Sequence, residues 1–183
     1  ETGFTNYITG IQGEGFGWAI VWSFVITILS VATIVFFSSM TAYYITRVKT
    51  WWTSALYFIF VFSMVIPFQM VMFPTVVIAD RLQLANPLGM VVLYLGFGAG
   101  LSVFMFSGFI KSIPLEIEEA AYIDGCSPLT TFFRVVLPML KPTAITVAIL
   151  NAMWVWNDYL LPYLVIGLST PYRTIPVVIQ QFI

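Results

Sequence analysis

Residues 111–142 read KSIPLEIEEAAYIDGCSPLTTFFRVVLPMLKP, and their reading decides the fold. This is the one long polar segment between apolar runs of membrane length. It holds four of the chain's eight acids and three of its seven bases. Its punctuation predicts two short helices. Ser112 is placed to cap the first, and Pro114 falls in the first turn, where a missing N–H costs nothing. Glu116, Glu118 and Glu119 lie toward the positive end of that helix. Gly125 supplies a C-terminal stop. Ser127-Pro128 repeats the cap-and-start pattern, and the second helix is expected to break near Leu137-Pro138. A charged helix–turn–helix set between apolar runs is built to be touched from outside the membrane.

On both sides of this segment the chain is apolar. Of its 183 residues 60% are hydrophobic and only 8% charged, against about 25% charged in a soluble domain. Mean hydropathy is +0.97. An ordinary soluble globule is excluded, and the expected fold is an all-α polytopic membrane protein. Four spans are expected, over 18–46, 52–79, 87–110 and 143–168, with 111–142 as the loop between the last two; together they make one transmembrane domain over 1–183. The first run is longer than a ~30 Å hydrocarbon core needs at ~1.5 Å per residue, so it should tilt or protrude. Pro67 and Pro74 should kink the second, as packing irregularities or as a gating hinge. The third carries Gly96 and Gly100, a GxxxG pattern that lets another helix approach closely. Residues 1–17 read as a glycine-punctuated loop without the cationic start of a signal peptide.

Basic residues orient the chain. Arg47, Lys49, Lys111, Arg134 and Lys141 fall on one side, and Arg81 and Arg173 on the other. Five against two places residues 111–142 in the cytoplasm and both ends outside.

The residue inventory excludes much chemistry. There is no His and a single cysteine, Cys126, so neither a His-based triad nor a thiolate metal site can be built, and no catalytic or metal residue is assigned. Lys111-Ser112 could end a phosphate-binding loop only with glycine at 105 and 110, where Met105 and Ile110 stand. Any ATP must be held by a partner. A net charge of −1 gives no argument for nucleic acid. The acids of 116–124 then have two readings, a solvated helix face or a docking surface. For docking, Ile117, Ala120, Ala121 and Asp124 share a face flanked by Glu118 and Glu119. In the last run Asn157 and Asp158 are a strongly polar pair among Trp154, Trp156, Tyr159 and Tyr163. These residues suit either an interfacial aromatic belt or a translocation path for a sugar, whose C–H faces stack on rings. Pro162 should bend the span just beyond them.

Glu119-Ala120-Ala121, then Asp124-Gly125, then Leu137-Pro138 resemble the EAA motif of ABC importer permeases. IPFQMVMFP at 66–74, RLQLANPLG at 81–89, FIKSIP at 109–114 and WVWNDYLLPYLV at 154–165 resemble the maltose-type carbohydrate branch of that family. The resemblance implies a MetI-like permease core in a prokaryotic inner membrane, with a cytoplasmic coupling helix seated in an ATPase cleft. Glu118, Glu119, Ala120, Ala121, Asp124, Gly125 and Pro138 would form the ATPase-docking set. It implies as partners a second homologous permease, an ABC ATPase dimer holding ATP and Mg²⁺, an extracellular or periplasmic sugar-binding protein, a sugar substrate and membrane lipid. It also implies further spans before 18 and after 183. Cys126 stands where the family often has alanine. Two other classes remain for the sequence alone: an ion-coupled carrier, for which Asp158 is the candidate acid, and a non-transporting assembly subunit. Within the family, a non-sugar solute is the alternative cargo.

Overall fold

The computed structural model describes residues 15–167 and 170–180. Most of the loop expected over 1–17 lies outside these residues. Within them the chain is helical, without strands.

Helix α1 runs from Phe16 to Arg47, so Phe16 and Gly17 are helical and not loop. Its buried side is marked by volume. Ala19, Ser23, Ile26, Ser30, Ile34, Ser38, Ala42 and Ile45 recur at helical spacing and are buried, while Trp18, Phe24, Ile28, Phe36 and Phe37 are exposed. In a bilayer both faces are apolar, and small residues mark the side where backbones approach.

Thr50 caps α2, Trp51–Ser63, through a reciprocal pair of hydrogen bonds with Thr53. The single span expected over 52–79 is two helices. Residues 64–67 are non-helical, and α3 restarts as Phe68–Arg81 with Pro74 inside it. Pro67 has no N–H to continue the ladder, so a full break replaces the kink. Asn86 accepts from the Gly89 amide at 2.9 Å and so caps the start of α4, Pro87–Ile110. Among the described residues only α1 and α4 are each long and apolar enough to cross a membrane, giving two spans, or four if each bent helix pair counts as one.

Two compact units divide the described residues, one of 15–30, 68–94, 152–167 and 170–180, the other of 31–67 and 95–151. In the first, Met90, Tyr94, Leu161, Ile166 and Val177 are buried, and the Ile175 amide donates to Ser23 Oγ at 2.8 Å. The second has a core of Ala42, Ile45, Val103, Phe106, Ile110, Ile113, Phe132, Val136, Leu140 and Val147.

Glycine spacing in α4 is used in the second unit, though by only one of the two residues singled out. A Cβ on Gly100 would lie 2.5 Å from Ser63 Oγ and 2.8 Å from the Phe60 carbonyl oxygen, whereas one on Gly96 would meet nothing within 4 Å. Gly98 is the second packed position, against Asn151 and Ile34. Gly100→Val is therefore expected to lower the unfolding midpoint of the detergent-purified protein by about 3–10 °C, from ~1–3 kcal/mol of overpacking. Gly96→Ala should leave it unchanged or raised. Equal shifts in the two variants would contradict this packing.

Candidate functional site

The polar segment forms the expected helix–turn–helix, with altered punctuation. Ser112 does not cap the first helix. Its hydroxyl turns back to donate to the Phe109 carbonyl at 2.7 Å, closing α4. Helix α5, Leu115–Ile123, starts instead after Pro114, whose extended backbone leads the chain in without a side-chain cap. It ends as expected at Gly125, with φ +84°. The Gly125 amide donates to Tyr122 O at 3.0 Å and the Cys126 amide to Ala121 O at 2.9 Å. This is the paired closure of a Schellman stop, which glycine accepts without Cβ strain.

Ser127 caps the second helix by accepting from the Thr130 amide at 3.3 Å, and Pro128 opens it. Four α-helical residues, Pro128–Thr131 (α6), pass into a wider π-helical turn, Phe132–Val136, and then α7, Leu137–Met139. The break expected at Leu137-Pro138 falls later, at Leu140, where the axis bends 74° into α8, Lys141–Asn157. The π turn explains the delay. The Leu137 amide reaches back to Phe132 O, and Pro138 follows inside the first turn of α7, where no donor is needed.

Burial divides the docking set. Glu119, Ala120, Asp124, Gly125 and Pro138 are exposed. Glu118 and Ala121 are buried, which removes both from an outward surface. Glu118 Oε1 accepts from Arg47 Nε at 2.8 Å and lies 2.6 Å from Arg47 Nη2. Its Oε2 accepts from the Tyr43 hydroxyl at 3.0 Å. Arg47 Nη2 also donates to the Ile113 carbonyl at 3.1 Å. Buried Ala121 allows α5 to lie close to its own unit. The expected face of Ile117, Ala120, Ala121 and Asp124 is thus split. Arg47 and Tyr43 were not singled out from the sequence, where Arg47 counted only as an orienting charge. The available signal was an arginine placed on the same membrane side as the acidic helix.

The last run is not one helix over 143–168; α8 ends at Asn157, and Asp158 and Tyr159 lie outside it. Asp158 Oδ1 accepts from the Leu160 amide at 3.1 Å and Oδ2 from the Tyr94 hydroxyl at 3.0 Å. The carboxylate thus starts the short α9, Leu160–Pro162, which continues as a π turn, Tyr163–Gly167. Pro162 is one turn on from Asp158 and cannot supply the amide that its carbonyl would accept, so the break falls at Asp158 and Tyr159 themselves and not just beyond them. The other polar and aromatic residues are paired separately. Asn157 Nδ2 donates to Met153 O at 2.7 Å. The ring of Trp154 meets Tyr94 edge-on at 5.4 Å, Trp156 meets Phe24 at 4.8 Å, and Tyr159 stacks on Tyr163 at 5.1 Å. A polar contact absent from the sequence reading lies in the second unit, where buried Asn151 donates to Ser102 Oγ at 3.1 Å and to Val147 O at 2.9 Å.

Comparison with known proteins agrees with this architecture. Residues 34–181 match the model of the family described as the binding-protein-dependent transport system inner membrane component. The chain is 44% identical, over 97% of its length and 64% of the relative's, to a probable starch degradation products transport system permease protein, AmyC, of Thermoanaerobacterium thermosulfurigenes. It is 38% identical, over 84% of its length and 57% of the relative's, to the multiple sugar-binding transport system permease protein MsmG of Streptococcus mutans. To the melibiose/raffinose/stachyose import permease protein MelC of Bacillus subtilis it is 32% identical, over 87% of its length and 58% of the relative's. The chain therefore spans about three fifths of the length of these curated relatives. With 148 of 183 residues matched, 34 through 181, the chain belongs to the family of binding-protein-dependent transport system inner membrane components.

Proposed function

We propose that the chain is the larger part of a permease subunit of an ATP-driven importer for a sugar or oligosaccharide. The hairpin of residues 115–139 faces the cytoplasm, on the side favoured by the basic residues. It docks through Glu119, Ala120, Asp124 and Gly125 into an ABC ATPase, which holds ATP and Mg²⁺. A second permease and an extracytoplasmic sugar-binding protein complete the assembly. No bond chemistry falls to this chain; substrate crosses by alternating access of the assembled permease pair. The observation that carries this reading is the hairpin itself, which presents Glu119, Ala120 and Asp124 to solvent while Glu118 and Ala121 on its other side are packed. Sugar as cargo is supported by the names of the relatives, which are permeases for starch degradation products, multiple sugars and melibiose, raffinose or stachyose. Asp158 gives little support to an ion-coupled carrier, because both its oxygens are occupied in holding Tyr94 and the start of α9.

The test is uptake of radiolabelled oligosaccharide into vesicles holding the full-length permease pair and ATPase, with binding protein outside. Accumulation that requires internal ATP and the binding protein is expected. Uptake driven by a proton or sodium gradient without ATP would overturn the reading.

A further inference from the structure

The hairpin has an inner attachment as specific as its outer face. Glu118 is buried, and its carboxylate accepts hydrogen bonds from Arg47 Nε and the Tyr43 hydroxyl, with Arg47 Nη2 in ion-pair contact at 2.6 Å. The same guanidinium reaches Ile113 O, just ahead of α5. Tyr43 also packs on Phe132, at the π turn of the second hairpin helix, with ring centroids 5.2 Å apart. The last turn and a half of α1 thus grips the lead into α5, its middle, and its neighbour helix.

Physical chemistry gives this grip a purpose. A helix of nine residues does not hold itself together in water, so its contacts set its position. Apolar contacts such as that of Ala121 permit sliding, whereas charge-assisted hydrogen bonds have a fixed direction and length. A buried ion pair is often no more stabilising than apolar packing of the same volume. What it adds is geometry.

We propose that Arg47 and Glu118 are positioning residues that transmit displacement of the hairpin to α1. Glu119 receives the movement of the ATPase, and Glu118 hands it to the membrane. This rests on the function proposed above, and the experiment separates the two.

The full-length permease, assembled with its partners in vesicles, is compared with Glu118→Gln, which keeps shape and removes charge. The ATPase should still co-purify and hydrolyse ATP within about twofold of wild type, while sugar taken up per ATP falls about tenfold, the equivalent of one charged hydrogen bond. Arg47→Glu should lose coupling too, and Arg47→Glu/Glu118→Arg should recover at least about threefold over either charge-reversed single variant, because the swapped pair restores the attraction. Tyr43→Phe, which removes one hydroxyl from the same carboxylate, should lower uptake per ATP about two- to fivefold; it decides the matter if a charge variant fails to insert. Normal coupling in Glu118→Gln and Tyr43→Phe would overturn the proposal. So would docking, hydrolysis and uptake falling together, or a swap no better than the singles. ATP-independent uptake by the wild type would instead overturn the importer reading.

Discussion

Glu119→Lys is expected to strip the ATPase from the assembled permease while leaving the subunit inserted. Glu119 is exposed on α5 and makes no contact that the fold needs for its own packing, in contrast to its neighbour Glu118. Reversing its charge should therefore spare the permease and strike the partner. A charge pair desolvated at an interface is worth about 2–5 kcal/mol on truncation, so co-purification of the ATPase should fall at least about 30-fold. ATP-driven uptake should fall with it. Thermal unfolding of the isolated subunit should not change. Co-purification is the measurement: a Glu119→Lys permease that retained its ATPase and transported normally would remove Glu119 from the docking surface. The converse pattern, a lower unfolding midpoint with docking intact, would assign Glu119 to the fold.

Gly125→Val should impair docking for a different reason, and its partner variant shows which. Gly125 has φ +84°, yet a Cβ placed there would meet nothing within 4 Å. Steric crowding therefore contributes nothing, and the cost is purely backbone. A β-branched residue in the left-handed region costs on the order of 1–3 kcal/mol. The stop formed by the Gly125 and Cys126 amides would open to relieve it. Opening the stop moves Asp124 and the second helix relative to Glu119, so uptake should drop about tenfold or more for 1.4 kcal/mol or above. Gly125→Asn should stay within about twofold of wild type, because asparagine tolerates this region through local hydrogen bonding. Equal loss in Val and Asn variants would mean that the side-chain space at 125, occupied in the complex, is what matters.

The contrast between 118 and 119 also marks where sequence reading stops. Gly125 and Ser127 were legible because their work is local: a positive φ and a cap reach two or three residues. Ser112 had the same local signature and used it on the preceding helix, since its hydroxyl could reach Phe109 O as readily as an amide ahead of it. Glu118 could not be read, because its partners are 71 and 75 residues away. Helical spacing groups residues on a face without saying which face is packed. Across the membrane runs, hydropathy located apolar segments but not their breaks. The interruption at 64–67 and the turn at Asp158 both lie in sequence that stays apolar around them. Pro67, Pro74 and Pro162 all predicted bending, yet the chain breaks at 64–67 and at 158–159, while Pro74 lies inside α3.

The pair of Arg47 and Glu118 has a further consequence, in time and not in space. Arg47 leaves the ribosome 71 residues ahead of Glu118, roughly 4–14 s at synthesis rates of about 5–20 residues per second. Throughout that interval the acid that fixes its guanidinium in the finished fold has not yet been made. The fastening of α1 to the hairpin can therefore close only after both have been synthesised.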